Sequence, residues 1–144
     1  MLEGKSILCV IPARGGSRRL PFKNITLFRG KALIQWAIEH AEGSKYIDRI
    51  VVSTEDQAIA LHAGKYFLGR QAFLAEDRVP TEAVMVHVLH QVTDYDFAVL
   101  LQPTSPLRSI EDIDRSIEIA VTKDGVNGLT GAVSYNPYGK RNGA

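Results

Sequence analysis

The sequence predicts an α/β protein, a three-layer αβα sandwich around a mostly parallel, Rossmann-like sheet, and three observations carry that expectation. Short β-rich apolar runs alternate with helical patterns of about ten to fifteen residues, which calls for crossover connections. The first run, residues 6–13, is apolar almost throughout, as in a strand buried on both faces. Finally, 144 residues with 45% AVILMFWYC and 23% charged have the balance of a globular domain, long enough to hide roughly two thirds of the unfolded surface.

Each element follows from its residues. Ser6, Ile7, Leu8, Cys9, Val10, Ile11, Pro12 and Ala13 read as a central strand. Residues 14–24, with two glycines, a proline and four cations, read as a loop. Over 32–41, Leu33, Trp36, Ala37, His40 and Ala41 recur at helical steps, and Gly43 is expected to supply a left-handed exit. Residues 49–53 form a second buried strand, and 55 to about 65 a second helix whose face is Ile59, Ala60 and Ala63. An irregular piece leads through Arg70 and Asp77 to Pro80 and Thr81, where a third helix begins, marked by Val84, Val88, Leu89 and Val92. Residues 97–101 are a third strand, followed by a segment in which Pro103 and Pro106 forbid helix and ladder pairing. Ser109 and Asp112 form a capping box for a helix with the stripe Ile110, Ile113, Ile117, Ala120 and Val121. Residues 129–135 suggest a fourth strand, and the polar tail 136–144 ends without a closing element. Neither repeat nor linker is present, so the expectation is one domain over 1–144 whose four-strand sheet is unfinished.

Composition narrows the function classes. Seventeen Lys and Arg against sixteen Asp and Glu leave a formal charge of +1, too little for a bulk field that holds nucleic acid or an anionic membrane. Residues 6–13 are too short to cross a bilayer and lack the features of a secretory signal, so a cytoplasmic protein is expected. Cys9, the single cysteine, reads as a small buried hydrophobe and leaves no disulfide or thiolate cluster. His87 and His90 stand three apart without a third ligand spaced with them, so they read as packing residues and no residue is assigned to a metal. With no nucleophile elbow or Ser/His/Asp ordering, direct displacement is the expected route.

Ligands of open parallel sheets bind just beyond the carboxyl ends of the strands, and two of those loops are unusual. In the loop 14–24, glycines let backbone N–H groups approach an anion while Arg14, Arg18, Arg19 and Lys23 bring charge, which suits phosphates; the alternative is a solvated basic loop. The spacing is neither a Walker loop nor a dinucleotide fingerprint. Residues 102–108 hold an amide, two hydroxyls and a guanidinium between stiff prolines, a set for a polyhydroxylated, carboxylate-bearing ligand or else a rigid connector. Ser53, Thr54, Glu55 and Asp56 read as a cap for the next helix.

The run Ile11-Pro12-Ala13-Arg14-Gly15-Gly16-Ser17-Arg18-Arg19-Leu20-Pro21-Phe22-Lys23-Asn24 resembles the N-terminal motif of the CMP-sialic acid synthetases, the acylneuraminate cytidylyltransferases. The likeness continues in register at Val51-Val52-Ser53-Thr54-Glu55-Asp56, over 70–81, and in Leu100-Leu101-Gln102-Pro103-Thr104-Ser105-Pro106-Leu107-Arg108, so that it spans 7 to about 121. It implies a fold of the nucleotide-diphospho-sugar transferase type and a reaction in which the C2 hydroxyl of a nonulosonic acid attacks the α-phosphate of CTP, releasing pyrophosphate with the help of Mg²⁺. Carried over by motif position, Arg14, Ser17 and Lys23 hold the triphosphate together with the loop glycines Gly15 and Gly16, Arg14 and Lys23 being the catalytic cations. Asn24, Arg70 and Thr81 lie around the cytidine, and Gln102 faces the sugar acid.

The resemblance also implies a homodimer and aspartate ligands for Mg²⁺ late in the chain. Arg141-Asn142-Gly143-Ala144 is similar to a later family motif, arriving early, so the reading expects a chain shortened internally and at its C-terminus, without the metal aspartates and interface, and a poor catalyst as it stands. Two alternatives stay open: a noncatalytic nucleotide-binding remnant, and a cytidylyltransferase for 3-deoxy-manno-octulosonate or another bacterial sialic acid analogue.

Overall fold

The computed structural model describes residues 1–16, 23–76, 79–122 and, through the backbone, 132–135. Its centre is β1 (Ile7–Pro12), whose first five residues contribute alternately to two separate cores. Ile7, Cys9 and Ile11 point into one cluster, Leu8 and Val10 into the other. That is the pleat of a strand covered on both faces, and it explains why the run is apolar without alternation. The flanking strands are β4 (Arg49–Thr54) and β6 (Phe97–Leu101), both parallel to β1, with Pro12 opposite Ser53 and Ile7 opposite Phe97.

Among the described residues the sheet has five strands, not the expected four. Order β5-β4-β1-β6-β7 adds β5 (Phe67–Gly69), parallel to β4, and β7 (Ala132–Tyr135), antiparallel to β6. β5 lies inside the segment expected to be irregular. Its three residues alternate between exposed and half-buried, so an edge position needs no apolar run and leaves none to read. β7 occupies only part of 129–135; residues 129–131 lie outside the described residues, as does the tail.

Among the described residues three α-helices cover one face of the sheet and one covers the other. α1 (Leu33–Gly43), α2 (Gln57–Ala63) and α4 (Ile110–Thr122) pack on the Ile7, Cys9 and Ile11 side, whereas α3 (Thr81–Gln91) lies over Leu8 and Val10. The buried stripe of α1 is Ile34, Ala37, Ile38 and Ala41. Trp36 and His40, expected on that stripe, are only half-buried, and the Trp36 indole N–H donates to the Phe28 carbonyl at 2.8 Å. Phe28 belongs to a short hairpin, β2 (Leu27–Phe28) and β3 (Lys31–Ala32), whose turn residues Arg29 and Gly30 both have positive φ, 51° and 80°.

Gly43 is not a left-handed exit. It ends α1 in ordinary helical geometry, followed by an extended Ser44, and a Cβ there would meet Ile110 of α4. The left-handed turn falls instead at Gly64, φ 55°, where it stops α2 two residues before the expected end. α2 also starts later than expected, because Asp56 is its N-cap, Oδ1 accepting the Ile59 N–H at 3.0 Å. Ser109 caps α4 by accepting the Asp112 N–H at 3.1 Å. No helix among the described residues is long and apolar enough to cross a membrane.

Candidate functional site

Beyond the carboxyl ends of β1, β5 and β6 the chain leaves a cleft of about 260 Å³. Arg14 and Lys23 enter from the loop after β1, Arg70 from the residue after β5, Thr81 from the first position of α3, and Gln102 from the residue after β6. Asn24 joins them from a short 3-10 turn, Lys23–Ile25. Six of the residues singled out in the sequence therefore line one cavity, although they are scattered over 89 positions from 14 to 102. Leu74, Val79 and Val84 supply an apolar wall, and Glu76 adds a carboxylate. Gly15 and Gly16 belong to the same loop but do not line the cleft, and Ser17 lies outside the described residues.

The loop is held by its own side chains. Asn24, buried to 6% exposure, donates its amide Nδ2–H to the Arg14 carbonyl at 2.8 Å, closing the two ends of the loop on each other. That donor, expected to face a nucleoside, is already engaged with backbone. Gly15 is buried and its N–H donates to Glu55 Oε1 at 2.5 Å, so the first glycine of the loop presents its amide to the β4–α2 turn. Gly15 has no positive φ; space alone requires glycine. An added Cβ would lie 2.6 Å from Asp56 Oδ2 and 2.8 Å from Asp56 Cβ. Around Gly16, which is exposed, none of the described residues comes within 4 Å of such a position.

Arg108 turns inward. Its Nε–H donates to the Ser105 carbonyl at 2.8 Å and an Nη2–H to the Gln102 carbonyl, so the guanidinium expected in the ligand arc instead staples the Pro-rich segment behind Gln102. Burial lowers its affinity for the proton. Cys9 sits beneath, fully buried, its thiol pushed up to about 12 by burial and only partly drawn back by Arg108. It is inert packing, as its position in a strand suggests.

Glu55, which reads in the sequence as part of the cap, does not cap. Thr54 and Asp56 do cap, Thr54 Oγ1 accepting the Asp56 N–H at 3.1 Å, but the carboxylate between them reaches the Gly15 amide and Arg70. A carboxylate directly after the strand that neighbours an anion loop was the available signal. His90 is exposed and so is not a packing residue, whereas His87 is half-buried and its Nε2 meets Gln91 Nε2 at 2.8 Å.

Among the described residues no three of His, Cys, Asp and Glu converge. Glu55 is engaged by Gly15 and Arg70, and Asp56 by the start of α2. These donors do not fit the paired hard oxygens that Mg²⁺ takes beside a triphosphate. A larger hollow of about 480 Å³ lies at the amino end of β4, but the polar groups there already serve the fold: Asp48 accepts the Ile7 N–H and Glu42 the Tyr66 hydroxyl.

A sheet of this order with a cationic cleft beyond its strands is the design of the nucleotidyltransferases. Among solved structures, one titled as CMP:2-keto-3-deoxy-manno-octonic acid synthetase complexed with CTP superposes with a TM-score of 0.74 at 25% identity, over 85% of this chain and 50% of that one. A family model described as Cytidylyltransferase matches residues 8–130, and the chain belongs to that family. It is 40% identical over 121 residues to the CMP-N,N'-diacetyllegionaminic acid synthase of Legionella pneumophila, covering 78% of this chain and 52% of that protein. It is 36% identical over 119 residues to the N-acylneuraminate cytidylyltransferase of Escherichia coli O18:K1:H7, covering 81% and 28%. The chain thus spans about half or less of the length of these curated relatives.

Proposed function

We propose that residues 1–144 form a single nucleotidyltransferase-like domain that binds CTP in the cleft between Arg14 and Gln102 and belongs to an enzyme transferring CMP to a nonulosonic acid. The observation that carries this reading is the convergence of Arg14, Lys23 and Arg70 with Thr81 and Gln102 in one cavity of a cytidylyltransferase fold. In the reaction the C2 hydroxyl oxygen of the acid bonds to the α-phosphorus as the bond to the bridging α–β oxygen breaks. The hydroxyl proton passes to solvent and pyrophosphate departs. Negative charge grows on the leaving group and on the α-phosphate oxygens, so fixed cations lower the barrier.

Each residue has a role on this reading. Arg14, whose planar guanidinium can take two oxygens at once, and Lys23, a compact point charge, hold the triphosphate. Ser17 and the backbone of Gly16 complete the loop, with Gly15 fixing its path. Arg70, Thr81 and Asn24 border the cytidine beside the apolar wall of Leu74, Val79 and Val84. Gln102 meets the sugar acid. The Mg²⁺ and the homodimer that the resemblance implies are assigned to none of the described residues. The protein acts where nucleoside triphosphates are, in the cytoplasm. A second reading, an eight-carbon 3-deoxy acid as acceptor, is favoured by the solved CMP:2-keto-3-deoxy-manno-octonic acid synthetase, whose backbone superposes on this one.

Calorimetric titration with CTP tests the site. Lys23→Ala is expected to remove a charge-assisted contact worth about 1.5 to 3 kcal/mol, roughly a ten- to hundredfold loss of affinity. Equal affinity for the wild type and Lys23→Ala removes the loop from the site, and pyrophosphate release with a panel of nine- and eight-carbon acids separates the two readings of the acceptor.

A further inference from the structure

β4 lies between β5 and β1 in the sheet, so the residue that follows it stands between the loop after β1 and the segment after β5. That residue is Glu55. Backbone bonds bring both neighbours to it, the Ala13 N–H donating to the Ser53 carbonyl at 2.9 Å and the Arg70 N–H to the Thr54 carbonyl at 3.2 Å. Its two oxygens then divide between them: Oε1 accepts the Gly15 N–H at 2.5 Å and Oε2 the Arg70 Nε–H at 3.0 Å. The Arg70 side chain is 2% exposed and that of Glu55 16%, so water screens the pair little.

Neither Glu55 nor Gly15 lines the cleft, whereas Arg70 and Arg14, the residue before Gly15, do. A carboxylate behind the wall competes with no incoming phosphate. It sets where the cations stand. We propose that Glu55 is the positioning residue of the nucleotide site, one carboxylate that fixes the phosphate loop through Gly15 and the Arg70 guanidinium through Nε. The inference rests on the reading of the cleft as a CTP site. Its physical basis is preorganisation: a free arginine side chain loses rotamer freedom when it binds, and one already clamped does not. Without the carboxylate the buried Gly15 N–H also loses its acceptor, and the loop must move to find another.

CTP titration of the folded protein, well below its melting temperature, tests this with Glu55→Ala, Arg70→Ala and the double variant. Glu55→Ala is expected to weaken CTP about tenfold, and in the Arg70→Ala background the same change should cost about threefold or less, because one of the two groups it acts through is gone and only the Gly15 contact is left to lose. Wild-type affinity in Glu55→Ala overturns the proposal, as does an undiminished loss in the Arg70→Ala background. Should Glu55→Ala fail to fold, Glu55→Gln keeps the shape and an oxygen for Gly15 while removing the charge from Arg70, and it should fall between the two. Solvent exchange of the Arg70 Nε–H, followed by NMR without nucleotide, is the independent readout: slow in the wild type and fast in Glu55→Gln supports the clamp, and equal rates overturn it. A wild type that binds no CTP overturns the reading of the cleft, and the exchange rates then judge the clamp by itself.

Discussion

Gly15→Ala is expected to damage the site through Asp56, which is not part of it. The new methyl would lie 2.6 Å from Asp56 Oδ2, 2.8 Å from its Cβ and 2.9 Å from its Cγ. Contact with the oxygen is therefore about 0.8 Å short of ordinary van der Waals separation, and two parts of the structure can give way. If the loop retreats by that much, the Gly15 N–H to Glu55 bond stretches from 2.5 Å to the limit of useful geometry, about 3.3 Å. If Asp56 swings out, α2 loses its N-cap, which costs about 1 kcal/mol. Overpacking of this kind costs about 1 to 3 kcal/mol, so a loss near 2 kcal/mol is expected in urea unfolding, with weaker CTP binding beside it. Asp56→Gly removes the opposing Cβ and carboxylate while remaining a tolerable cap. In that background Gly15→Ala should cost less than about 0.5 kcal/mol. Gly15→Ala as stable as the wild type, or equally damaging in both backgrounds, refutes the steric argument.

Other expectations concern single groups. Gln102→Ala should raise the KM for the sugar acid and leave CTP affinity within about twofold, since its backbone carbonyl, not its amide, is what Arg108 holds; a collapse of CTP affinity in a folded variant would assign the segment to the nucleotide. Burial and the Arg108 charge lower the His40 pKa below 6.5, with Glu39 opposing and Lys31 adding to the effect. The unfolded chain therefore takes up a proton first as pH falls through 6.5, and melting temperature should drop between about pH 7.5 and 5.5 by less in His40→Gln than in the wild type; equal drops would dismiss His40. Cys9, with its thiol pushed to about 12, should resist alkylation at about pH 8 until denaturant is added, and labelling of the native protein would show that the sheet opens.

The sequence was most legible where burial leaves a mark. β6 has its expected bounds and β1 is shorter by one residue at each end, because a strand covered on both faces is apolar throughout. The stripe of α1 is less legible: Trp36 and His40 are large enough to suggest a core but stay at its margin, Trp36 bonded to the hairpin and His40 beside the Trp36 ring. β5 escaped because three residues at an edge carry no periodicity. In the site, cations after β1 were readable because strand ends face the ligand crevice. Glu55 was not, because Thr54 and Asp56 beside it already form a sufficient cap. The direction of Arg108 depends on two carbonyls that no side-chain pattern encodes.

β4 meets β1 at both ends through carboxylates. At its start Asp48 takes the Ile7 N–H at 2.7 Å, and past its end Glu55 takes that of Gly15 at 2.5 Å. Between these points β1 is apolar on both faces and β4 is apolar over Ile50, Val51 and Val52 before the buried Ser53 and Thr54, so the apolar pattern alone opposes a slide by two residues, which keeps each side chain on its own face, only weakly. What such a slide cannot keep is either anchor, since each acid would face an amide roughly 7 Å away. Two charges at the margins therefore add to what holds this pairing, which ties the path of the loop after β1 to the alignment of the sheet.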